Sequence, residues 1–124
     1  MTDYDVHKPV VLVVEDEPLL RMNAADMVEE AGFEALEAAN ATQAIQLLES
    51  RNDICVILSD IDMPPGMDGM KLVALVRRRW PPVAIILVSG HVNLGDVDLP
   101  EGAKFFSKPY RPTEVIAALS RMAA

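Results

Sequence analysis

The chain has 124 residues, of which 51% are hydrophobic and 24% charged, and its formal net charge is −8. That length suits one domain of the common ~100–150 residues, and the apolar fraction excludes the disordered class. An acidic surface repels phosphate, so direct nucleic-acid binding and membrane-surface binding are not expected.

A single domain is predicted over residues 1–124, with the polar residues 1–8 loosely ordered. No signal peptide opens the chain, and no run of ~18 apolar residues is present to span a bilayer. The one cysteine, Cys55, allows no internal disulfide and reads as a small buried hydrophobe. Together these features predict a soluble, cytoplasmic protein.

The first element is the β-branched run Val10 to Val14, continuous as in a strand buried on both faces. It stops at Glu15-Asp16-Glu17. Pro18 suits a first helical turn, and Leu19, Leu20, Met22, Ala25, Met27 and Val28 then suggest an apolar stripe that ends at Ala31-Gly32. Residues 33–38 alternate like a strand. Residues 41–50 read as a second helix with Ala44, Ile45, Leu47 and Leu48 inward. A third strand runs from Ile54 to Leu58 and ends at Ser59-Asp60. The turn over residues 63–69, rich in Pro and Gly, leads into a helix through Leu72, Val73, Leu75 and Val76, which Pro81-Pro82 breaks. A fourth strand, Ala84 to Val88, ends at Ser89-Gly90. A short fifth, Lys104 to Ser107, ends at Lys108-Pro109. The last helix begins near Pro112-Thr113 and buries Val115, Ile116 and Leu119.

Strict alternation of strand and helix predicts a parallel sheet with helices on both faces. Ligands of such sheets bind beyond the carboxyl ends of the strands, where this chain puts its polar residues. Glu15, Asp16 and Asp60 would gather three carboxylates there. Two charges ~4 Å apart repel by roughly 4 kcal/mol at an effective dielectric of 20, so the cluster calls for proton uptake or a cation. An all-oxygen, partly open site suits Mg²⁺. Lys108 adds a point charge and Ser89 a hydroxyl donor. Nucleophilic carboxylate, metal cradle, cation and donor are the parts needed for phosphoryl transfer to an aspartate.

In order and over nearly the whole chain, Glu15-Asp16, Ser59-Asp60-Ile61-Asp62-Met63-Pro64, Met67-Asp68-Gly69, Ser89-Gly90 and Lys108-Pro109 resemble the response-regulator receiver domain of two-component signalling. The resemblance implies a flavodoxin-like, doubly wound sheet of order 2-1-3-4-5 with five helices. It implies that Asp60 takes a phosphoryl group from a histidine kinase or phosphotransfer protein. It also implies that Asp16, Asp60 and the carbonyl of Asp62 hold Mg²⁺, with Glu15 joining directly or through water. By the same resemblance Ser89 and Lys108 contact the phosphoryl group, and Phe105 is the switch aromatic. Such a protein is a phosphorelay component that assists its own phosphorylation and dephosphorylation rather than an enzyme.

Several residues also carry plainer readings. Glu15 to Glu17 suit the start of any helix, Asp68 reads as a cap, His91 as a solvated loop residue and Arg77-Arg78-Arg79 as a solvated helix end. Four positions depart from the family pattern. The loop Met63 to Met67 is one residue longer than the commonest form, Glu15 replaces an aspartate, and Phe105 lacks a tyrosine hydroxyl. Residues 91–102 carry two glycines and a proline, which predicts a short or distorted fourth helix.

The favoured function is a single-domain regulator that binds an unidentified output protein or acts as a phosphate sink. A receiver cut from a hybrid kinase is the alternative. A haloacid-dehalogenase-type phosphohydrolase would use Asp60 and Asp62, but after the first strand and with a cap domain. A flavodoxin-like FMN carrier would not place Glu15-Asp16-Glu17 against a phosphate. A pseudo-receiver would not need Asp16, Asp60, Ser89 and Lys108 together.

Overall fold

The structure, a computed structural model, describes residues 8–61, 69–90, 99 and 102–123. Nine elements follow in chain order: β1 (Val10–Val14), α1 (Pro18–Glu30), β2 (Glu34–Ala38), α2 (Ala41–Ser50), β3 (Ile54–Asp60), α3 (Gly69–Arg79), β4 (Ala84–Ser89), β5 (Lys104–Ser107) and α4 (Pro112–Met122). The strands form one parallel sheet, as the alternation predicts, in the order β2-β1-β3-β4-β5 that the family resemblance implies. Four helices lie among the described residues. The segment expected to hold a further, distorted helix lies outside them except at Leu99 and Gly102.

Each strand's two faces feed separate cores. Leu12, Val14, Ile57, Ile85 and Leu87 pack with Ala44 and Leu48 of α2 and with Leu72, Val73 and Val76 of α3. Val11, Val13, Val56, Leu58, Ile86 and Val88 pack with Ala24 and Val28 of α1 and with Val115 and Leu119 of α4. The sheet is thus a middle layer between two helical layers, which explains why β1, β3 and β4 read as continuous apolar runs.

The alternation breaks once. Val10 pairs with Ile54 but Val11 with Val56, so Cys55 is the extra residue of a bulge. Ile54 and Ile57 consequently reach the same core. Cys55, predicted to be buried, is only half-buried at this bulge, packed against the core under α1 and α4 with Sγ 3.7 Å from the Asp53 carbonyl.

Helix α1 also departs from its predicted stripe. Leu19, Leu20 and Met22 are exposed, and the inward residues are Ala24, Ala25 and Val28. The helix ends in a Schellman arrangement: Gly32, at φ 99°, donates to Glu29 O, and Phe33 N donates to Val28 O. At the far end of α3, Arg77 is not solvated but half-buried, its Nη1 2.6 Å from Pro81 O. Arg79 lies over the Trp80 ring, 4.4 Å from the centroid, and pairs with Glu49 at 2.9 Å. No helix among the described residues is long and apolar enough to cross a membrane.

Candidate functional site

Strand register brings the polar residues together. Val14 pairs with Ser59, Asp60 with Val88 and Ser89 with Ser107. The residues that end or directly follow these strands, Glu15, Asp60, Ser89 and Lys108, therefore line one edge of the sheet. Backbone bonds extend the sheet at that edge: Glu15 N donates to Ala38 O at 3.1 Å, Ile61 N to Val88 O at 2.9 Å and Lys108 N to Ser89 O at 2.8 Å.

Glu15, Asp60 and Ser89 are buried, and Asp16 is half-buried. Glu15, Asp16 and Asp60 each present a carboxylate oxygen, all within 4.8 Å of one another. The Lys108 ammonium lies 2.6 Å from Asp60 Oδ2 and 3.4 Å from Glu15 Oε1. One ammonium faces three carboxyl groups, so the cluster can still take up a proton or a cation. Burial, reinforced by the neighbouring Asp60, pushes the Glu15 carboxyl up to about 7, although the Glu17 N–H and Lys108 pull the other way. For Lys108, burial pulls the ammonium's pKa down, but Asp60 and Glu15 together outweigh it and raise the value. The oxygen-only donor set, with a resident lysine as partial counter-ion, fits a hard divalent cation such as Mg²⁺.

Among the other residues singled out in the sequence, Phe105 is half-buried on β5, opposite Leu87, against the core under α2 and α3. Asp62 and His91 lie outside the described residues, as do the long loop and Asp68. Gly69 begins α3 hard against the site: a Cβ there would stand 2.5 Å from Asp60 O and 2.6 Å from Ile61 Cα. That close approach explains a glycine at this position.

Three features escaped the sequence reading. Arg21 reaches back from α1, with Nη1 3.0 Å from Glu15 O and Nε 3.3 Å from Glu37 Oε1. A cavity of about 450 Å³ opens beside the carboxylates between α1 and the loop after β5, lined by Leu20, Asn23, Lys108 and Tyr110 among others. Burial raises the Tyr110 hydroxyl pKa in it. Arg21 had a signal in the sequence: it stands three, four and seven residues before Ala24, Ala25 and Val28, on the inward face of α1.

A five-stranded α/β domain with an acid cluster and a lysine at the carboxyl edge of its sheet now meets its relatives. Residues 11–120 match the family model for the response regulator receiver domain, and the chain belongs to that family. It is 32% identical over 116 residues to the response regulator protein FleR of Pseudomonas aeruginosa, matching 91% of this chain and 24% of that protein. It is 31% identical over 116 residues to the sensor kinase CckA of Brucella abortus, covering 90% of this chain and 12% of the kinase. The chain thus spans about a quarter of FleR and less of CckA. A crystal structure of a response regulator receiver domain protein from Clostridium thermocellum superposes with a TM-score of 0.84 at 27% identity, covering 92% of this chain and 93% of the other.

Proposed function

We propose that this receiver domain accepts a phosphoryl group on Asp60 from a phosphorylated histidine of a kinase or phosphotransfer protein, with Mg²⁺ as cofactor. The observation that carries the reading is the buried Asp60 carboxylate, 2.6 Å from the Lys108 ammonium and within reach of two more carboxylates. Glu15, Asp16 and Asp60 would hold the metal, and the family resemblance adds the carbonyl of Asp62. When bound, Mg²⁺ neutralises charge on the transferring phosphoryl oxygens.

An Asp60 carboxylate oxygen forms the O–P bond as the donor's P–N bond breaks, and the electron pair stays with the imidazole nitrogen. Lys108 leaves the Asp60 carboxylate for a phosphoryl oxygen, and the Ser89 hydroxyl donates to another. Both groups sit on strand ends that the sheet holds in register, so little reorganisation opposes the transfer. Phosphorylation adds charge at the sheet edge, Ser89 moves toward it, and Phe105 turns inward to repack the β5 face. The repacked face then binds an output protein, or the domain serves as a phosphate sink. A second reading, a receiver joined to a hybrid kinase, draws support from the likeness to part of the CckA sensor kinase.

Incubation with a small acyl phosphate, with and without Mg²⁺, tests the proposal by intact-protein mass. One phosphate adduct that needs both Mg²⁺ and Asp60 is expected. Equal labelling of Asp60→Asn would overturn the assignment.

A further inference from the structure

Arg21, one turn into α1, bonds the backbone of the carboxylate loop. The inward face of α1 repeats at Arg21, Ala24, Ala25 and Val28, and the last three are buried. β1 ends at Val14, and Arg21 reaches the Glu15-Asp16-Glu17 loop that follows it. Side chains of a helix lean toward its N-terminus, so the guanidinium folds back over that loop. There it donates from Nη1 to the Glu15 carbonyl at 3.0 Å. Nε meets Glu37 Oε1 at 3.3 Å, on β2. Arg21 is only 21% exposed, so the fork is largely settled against protein.

The backbone of Glu15 is thereby held on both sides. Its N–H donates to Ala38 O at 3.1 Å, and its C=O accepts from Arg21. The side chain is held too, accepting from Glu17 N at 3.1 Å. Rotation of the Glu15 carbonyl would swing the following peptide and carry the Asp16 carboxylate out of the cluster. A charge-assisted bond from a planar, permanently charged fork is well suited to prevent this.

We infer that Arg21 is a positioning residue for the metal cluster, with Glu37 as the anchor that orients it. The inference rests on the Mg²⁺ reading above and extends it to residues that touch neither metal nor phosphoryl group. Outer partners that fix metal-binding groups are commonly worth 10–100-fold in affinity.

Mg²⁺ titration of the full chain by calorimetry, paired with labelling rate against Mg²⁺ concentration, tests it. Arg21→Ala is expected to weaken Mg²⁺ binding about tenfold. The concentration for half-maximal labelling should rise equally, while the maximal rate moves less than about threefold. Arg21→Lys keeps one donor and should recover part of the affinity. A folded Arg21→Ala protein that binds Mg²⁺ as wild type does would overturn the inference, as would a fall confined to the maximal rate. Should Arg21→Ala not fold, the rim variant Glu37→Ala decides: a threefold or so weakening is expected, and unchanged affinity contradicts the role. Wild type without Mg²⁺ affinity would instead defeat the metal reading itself.

Discussion

The Lys108 ammonium, 2.6 Å from Asp60 Oδ2, occupies the space where a cation or a phosphoryl oxygen would be drawn. Asp60 lies at the end of β3 and Lys108 just after β5, with β4 between them, so the pair bridges three strands. It also closes the site's charge only partly, since Glu15 and Asp16 share the same cluster.

Under the proposed function, substitution of Lys108 should separate metal binding from phosphoryl transfer. In Lys108→Met the competing ammonium is gone while the carboxylates remain. Mg²⁺ affinity, measured by calorimetry, should be equal to or tighter than that of wild type. The labelling rate should fall about 100-fold, the usual cost of losing one preorganised donor to a developing charge. A variant that lost affinity and rate together would mean that Lys108 organises the cluster rather than the transfer.

Glu15 gives the metal-free protein a distinctive pH response. Its folded pKa, about 7, lies above the unfolded value near 4.5, so the folded state holds a proton that the unfolded state has lost. The contribution to stability is present below pH 4.5 and disappears as pH rises through 7. Water at the open side of the cluster limits it to about 1–2 kcal/mol. Thermal melts in a chelator should therefore fall between pH 5 and pH 8 more steeply for wild type than for Glu15→Gln. Added Mg²⁺ should stabilise most at the alkaline end, where the carboxylate is free of its proton. Parallel curves for the two proteins would contradict the shift.

Gly69 brings helix α3 close against the backbone of Asp60. A methyl group in Gly69→Ala would meet Asp60 O and Ile61 Cα, both backbone atoms that cannot swing aside. Destabilisation on the order of 1–3 kcal/mol is expected by denaturant unfolding. Labelling should slow as well, because relief of the clash displaces the peptide that carries Asp60. Unchanged stability would show that α3 can shift without cost.

The strands were legible because three of them are covered on both faces, which writes uninterrupted Val, Ile and Leu runs into the sequence. The site was legible for a related reason: parallel strands put whatever follows them on one edge, so Glu15, Asp60, Ser89 and Lys108 could be gathered without coordinates. Helix α1 was harder. Burial in it begins only at Ala24, so Leu19, Leu20 and Met22 look like core by hydropathy yet stay exposed, and a polar residue, Arg21, takes the inward place. Cys55 misled in the same way, since a one-residue bulge reverses the facing of a strand without any mark in its composition. Arg77 read as solvated because a run of three arginines hides that one of them fastens the following turn.

The central claim is that Asp60, and no neighbouring carboxylate, carries the phosphoryl group. Borohydride reduction of the labelled protein converts an aspartyl phosphate to homoserine, and peptide mass mapping then locates it. Homoserine at position 60, formed only when Mg²⁺ was present during labelling, is the predicted result. Homoserine at position 16 or 62 with residue 60 unmodified would contradict the account.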